Sequence, residues 1–147
     1  SIPGIRVGWV ASNTEVADIL RDYRDYTMIC AGVFDDMVAT LVLENKEAIL
    51  ERNRQIVEEN LALMDAWIAK EPKASWIRPA SVSTSFVKLD VNRPIEDFAL
   101  ELLQDYGVLV VPGNRFDKES HVRIGYCCDK EVLQKGLEKL SQFLNKC

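Results

Sequence analysis

The chain has 147 residues and a mass of 16.7 kDa, with 48% hydrophobic and 28% charged residues. That balance excludes a disordered or low-complexity polypeptide and provides enough apolar material for a core. Lys and Arg number 18 against 23 Asp and Glu, a net charge of −5 with no basic stripe; this argues against a nucleic-acid partner, and no apolar run of roughly 18 residues marks a membrane span.

From the N-terminus, Ile5, Val7, Trp9 and Ala11 alternate with Arg6, Gly8 and Val10, the period-two pattern of a buried strand. A buried strand so near the first residue, without an initiator Met, reads as part of something longer. Ser12-Asn13-Thr14-Glu15 has the form of a capping box with Ser12 as the cap. Val16, Ile19, Leu20 and Tyr23 then give the following helix one apolar face, ending near Tyr26.

Residues 27–34 have no helical period and read as a loop. From Asp35 the pattern is helical: Val42, Ile49, Ile56 and Leu63 recur every seven residues, each followed by a second apolar residue at Leu43, Leu50, Val57 and Met64. Such a helix, ending at Trp67 before Pro72, would span about 50 Å at about 1.5 Å per residue. That length predicts a kink near Asn45 or a helix bridging two domains, with a two-stranded coiled coil as the alternative.

Beyond Pro79 the pattern becomes a strand over 83–90, a helix started by Pro94 and closed by Gly107, and a short strand over 108–111 ended by Pro112-Gly113-Asn114. A strand over 121–127 follows. Asp129 then caps a last helix with Val132, Leu133, Leu137, Leu140 and Leu144 on its core face. The order β-α-β-β-α describes a small α+β unit with helices against one sheet.

Cys30, Cys127, Cys128 and Cys147 match no disulfide scaffold or Cys-x-x-Cys spacing, which points to reduced thiols and a cytoplasmic setting. His121 is the only histidine, so a multi-histidine metal site is excluded and no metal is expected; it reads as a strand-end residue.

Two arginines carry the functional signal. Arg6-Val7-Gly8-Trp9 and Arg123-Ile124-Gly125-Tyr126 each place a glycine two residues after the arginine, on the same strand face. The missing side chain leaves room beside the guanidinium, whose planar fork binds a carboxylate or phosphate through two charge-assisted hydrogen bonds. The residues alone leave other readings open. Each arginine can lie on a solvated face or pair with one of the 23 acidic residues, and each glycine can mark a bulge.

In sequence, Ser1-Ile2-Pro3-Gly4-Ile5-Arg6-Val7-Gly8-Trp9 resembles the segment just after the cofactor lysine of class I/II aminotransferases, the fold type I enzymes that use pyridoxal 5'-phosphate. Val110-Val111-Pro112-Gly113-Asn114-Arg115-Phe116, then His121-Val122-Arg123-Ile124-Gly125-Tyr126 and a final amphipathic helix, resemble the C-terminal end of the same family. The two anchors stand in the family's order, so the resemblance covers nearly the whole chain.

The resemblance implies an α/β and α+β architecture. Residues 1–34 would end the large cofactor-binding domain with its last strand, 35–72 would form the long interdomain helical region, and 73–147 the small C-terminal domain. Arg6 matches the arginine that holds the cofactor phosphate, and Arg123 the one that grips the substrate α-carboxylate. The Schiff-base lysine would lie just upstream of Ser1, so no catalytic residue falls within the chain and the 147 residues alone should be inactive. The implied activity of the whole protein is amino transfer between an amino acid and a 2-oxo acid, in a homodimer. A related lyase or synthase using the same cofactor, or a non-catalytic α+β binding or dimerisation module, are the alternatives.

Overall fold

Helix caps and apolar periodicity set most of the architecture. In the computed structural model, which describes residues 2–147, the chain divides into two units, the first ending at Asn53 and the second Arg54–Cys147.

In the first unit, Pro3–Ile5 forms one 3-10 turn and residues 6–13 adopt no regular structure. The strand expected over 5–11 is therefore absent here. A strand exists only as part of a hydrogen-bonded ladder, and the sheet of this chain is built entirely from residues between Ala74 and Gly125. Helix α1, Thr14–Arg24, is capped by Asn13, whose side chain accepts from the Val16 amide at 3.0 Å. Ser12, the expected cap, instead donates its hydroxyl to the Asn13 carbonyl. Both residue types cap well, so the pattern left a one-residue ambiguity.

Helix α2, Val33–Glu44, ends at Asn45, and helix α3, Lys46–Ile68, follows at once. The expected kink near Asn45 is a true break. Both the backbone N–H and the side-chain amide of Asn45 donate to the Leu41 carbonyl, at 3.2 and 2.8 Å, closing the last turn of α2.

The second unit holds the core. Strands β1 (Ala74–Trp76), β2 (Thr84–Leu89), β3 (Val111–Pro112) and β4 (His121–Gly125) form an antiparallel sheet in the order β1-β2-β4-β3. Strand β1 was not anticipated; three residues are too few to show an alternation. Helices α4 (Ile95–Tyr106) and α5 (Lys130–Leu144) supply apolar faces: Ile95, Phe98, Ala99 and Leu102 from α4, and Leu133, Leu137, Leu140, Phe143 and Leu144 from α5. They join Val87, Leu89, Val122, Ile124 and Tyr126, together with Leu61 and Met64 of α3, in one cluster. Val132, expected in that face, is 60% exposed. Gly107 closes α4 with φ +65°, the left-handed cap that favours glycine.

Several buried polar groups of this unit are paired, whereas the Tyr106 hydroxyl and Asn114 Oδ1 are buried without a hydrogen-bond partner. Asn60 of α3 donates to the Tyr126 carbonyl at 2.7 Å and the Cys128 carbonyl at 2.9 Å. The Trp67 indole donates to Ser141 at 2.8 Å, and Ser141 donates to the buried Glu71 at 2.6 Å.

Candidate carboxylate site on the sheet

Strand alternation in β2 and β4 sorts side chains to two faces. Val87, Leu89, Val122 and Ile124 point into the core, and Phe86 is partnered with Arg123, Thr84 with Gly125, and Lys88 with His121 on the opposite face. Arg123 thus emerges on the outer face of the sheet. Thr84, Ser85, Phe86, Phe116 and Arg123 line a recess of about 280 Å³ there.

Gly125, two residues on in β4, shares the sheet face of Arg123 by strand alternation. A Cβ added at Gly125 would meet nothing within 4 Å. Beneath the guanidinium lies the ring of Phe116, with the guanidinium carbon 5.3 Å from the ring centroid. Phe116 ends a 3-10 turn, Gly113–Phe116, that Gly113 holds close: a Cβ there would stand 2.2 Å from the Lys118 carbonyl oxygen and 2.6 Å from that of His121. In the same turn Arg115 pairs with Glu96 of α4, and Asn114 donates to Glu96 at 2.8 Å.

Other arginines have acidic partners: Arg21 with Asp18, Arg78 with Asp65, and Arg93 with Glu101, which raises the Arg93 pKa. Among the described residues Arg123 and Arg6 have no such ion pair. Arg24, at the end of α1, has none either, so an unpaired cation alone does not mark a site. What distinguishes Arg123 is the recess, the ring beneath it and the glycine beside it.

Arg6 belongs to the first unit and Arg123 to the second, and each has its own surroundings. Arg6 is exposed, follows the Pro3–Ile5 turn with φ 52°, and donates one N–H to the Pro3 carbonyl at 3.1 Å. A Cβ at Gly8 would meet nothing within 4 Å. Because residues 6–8 form no strand, the shared strand face expected for Arg6 and Gly8 is absent. His121 opens β4, as expected of a strand-end residue. Its Nδ1 lies 2.9 Å from the Glu119 carbonyl oxygen, which can only accept, so Nδ1 carries the proton.

Sequence reasoning missed Phe86 and Phe116 as parts of this face. The available signal was an aromatic residue between Thr84 and Lys88, at a position where the alternation places polar side chains. Among the described residues, no group of three or more His, Cys, Asp or Glu is arranged to hold a metal.

The family model described as aminotransferase class I and II matches residues 1–140. The chain belongs to that family. A solved PLP-dependent aminotransferase from Streptococcus suis 89-1591 is 66% identical, with a TM-score of 0.92 over 99% of this chain and 39% of its own. Capreomycidine synthase of Streptomyces vinaceus is 28% identical over 97% of this chain and 37% of that protein. The probable N-acetyl-LL-diaminopimelate aminotransferase of Bacillus subtilis strain 168 is 26% identical over 99% of this chain and 38% of that protein. The fold is that of fold type I enzymes, of which this chain carries a small α+β portion. It spans well under half the length of these relatives.

Proposed function

We propose that the chain is the C-terminal portion of a pyridoxal-phosphate-dependent aminotransferase that moves an amino group between an amino acid and a 2-oxo acid. The observation that carries this reading is Arg123: a guanidinium without a carboxylate partner, above an aromatic ring and beside open space at Gly125. Two N–H groups of the fork would meet the two oxygens of an α-carboxylate, each bond contributing about 1.5–3 kcal/mol. Holding that carboxylate turns the substrate so that its Cα–H bond faces the reacting centre.

Arg6 would take the cofactor phosphate. Its surroundings fit such a group: one N–H is engaged with Pro3, the guanidinium has further donors for an anion, and the backbone beside it at Gly8 is uncrowded. When bound, the cofactor supplies a conjugated ring that stores the electrons left on the substrate's Cα. The anchoring lysine would come from upstream sequence, so the 147 residues alone should not transaminate. In this reading residues 1–34 close the large cofactor domain, 35–72 are the interdomain helical region and 73–147 are the small domain. The whole enzyme would act as a homodimer in the cytoplasm, where the four exposed cysteines would stay reduced.

The 28% likeness to capreomycidine synthase, together with the 26% likeness to a PLP-dependent cyclase, supports a second reading in which the same arginines serve a cyclisation. The test uses the full-length enzyme. Arg6→Ala should weaken cofactor retention, and Arg123→Ala should raise the KM for the amino acid by about 150-fold or more, as expected from losing two charge-assisted bonds of about 1.5–3 kcal/mol each. Unchanged retention and unchanged KM would remove both assignments. Product analysis by mass spectrometry, seeking a 2-oxo acid or a cyclised product, separates the two readings.

A further inference from the structure

The ring beneath Arg123 belongs to a longer assembly. Phe116 meets Phe86 edge to face, with centroids 5.8 Å apart and planes at 82°. Phe86 in turn stacks on His121, with centroids 4.9 Å apart and planes at 22°, and His121 is tied through Nδ1 to the Glu119 carbonyl. Phe86 is also the register partner of Arg123 across the two central strands. Three rings thus run from a backbone anchor to the underside of one guanidinium.

Core packing does not explain this arrangement. Phe116 is 44% exposed, and Phe86 and His121 stand on the sheet face away from the apolar core. A long arginine side chain has many rotamers, and an arginine without an ion pair samples them until its anion arrives; ordering it then weakens binding. A ring face attracts a guanidinium and limits that search beforehand.

We propose that Phe116, backed by Phe86 and His121, is a positioning residue that holds the Arg123 fork ready for the substrate carboxylate. The inference rests on the reading of Arg123 given above and adds to it a device for pre-organisation.

The full-length enzyme tests it through amino-acid KM and kcat. Phe116→Leu keeps an apolar side chain but removes the ring face; it should raise KM about two- to fivefold, the range of an exposed cation–π contact, with kcat within about twofold. Phe116→Tyr should restore the original KM. Phe86→Leu, which leaves Phe116 and Arg123 in place, should raise KM in the same direction and by less. Binding of an amine with the same side chain but no carboxylate should not change in any of these variants. In an Arg123→Gln background, Phe116→Leu should have no further effect.

If Arg123→Gln weakens amino-acid binding while Phe116→Leu and Phe86→Leu do not, the positioning role is overturned and the carboxylate assignment stands. If Arg123→Gln leaves KM unchanged, both fall. A Phe116→Tyr variant as impaired as Phe116→Leu, or an equal loss of affinity for the carboxylate-free amine, would also overturn the proposal.

Discussion

Asn60 of helix α3 donates to the carbonyl of Tyr126 at 2.7 Å, joining positions 66 apart in the chain. The same amide donates to the Cys128 carbonyl, so one buried side chain fixes the backbone where β4 leaves the sheet and approaches α5. Asn60→Leu should destabilise the second unit by about 1–3 kcal/mol, chiefly because the buried Tyr126 carbonyl would lose its donor, whereas the carbonyl of exposed Cys128 can turn to water. Asn60→Asp should cost at least as much, since a carboxylate has no N–H to offer. Urea denaturation followed by Trp fluorescence measures both.

The two glycines of the Arg123 region should respond in opposite ways. Gly113→Ala forces a Cβ against two backbone carbonyls and should cost about 2–3 kcal/mol of stability. Gly125→Ala meets nothing within 4 Å and should leave the thermal midpoint unchanged or slightly raised, while narrowing the space beside the guanidinium. In the full-length enzyme it should raise the amino-acid KM several-fold. A Gly125→Ala enzyme with unaltered KM would argue that the substrate does not enter that space.

Arg123→Lys keeps the charge and loses the planar fork. Amino-acid affinity should fall about tenfold, less than in Arg123→Ala, because an ammonium binds a carboxylate as a point charge. Isothermal titration of the full-length enzyme with a non-reacting dicarboxylic or 2-oxo acid orders the three forms.

Alkaline stability should depend on Tyr126. Its side chain is buried, its hydroxyl donates to the Val82 carbonyl, and its pKa is raised, first by burial and then by neighbouring Cys127. A phenol whose folded pKa lies above the unfolded value favours folding fully below the unfolded pKa, near 10, and that contribution is lost as pH rises through the folded pKa. Denaturant midpoints should therefore decline above about pH 10, and Tyr126→Phe should flatten that decline while lowering stability at pH 7 by about 1 kcal/mol. An equal decline in both proteins would assign the alkaline loss elsewhere.

The 147-residue chain should self-associate when purified. No residue of α1 or α2 is buried, and Trp9, Tyr26 and Phe34 are 74%, 90% and 83% exposed, an amount of exposed apolar surface that favours association. Size-exclusion chromatography with light scattering should report oligomers, and a monodisperse monomer would contradict this.

Local signals made much of this molecule legible before any coordinates. Asp129 as cap of α5, Gly107 as the end of α4, the break at Asn45 and the β-α-β-β-α order all rest on interactions within a turn or a strand of the residue concerned. Arg123 stood out for a similar reason: a glycine two positions on shares its strand face whatever the sheet packs against.

Tertiary contacts decided the rest. Residues 5–11 have the alternation of a strand and form none, because a ladder needs a partner that alternation cannot supply. The placement of Phe116 under Arg123, and of Phe86 against both Phe116 and His121, depends on a tight turn meeting two strands drawn from distant parts of the chain. Periodicity assigns a side chain to a face; only the packed backbone brings particular neighbours to it.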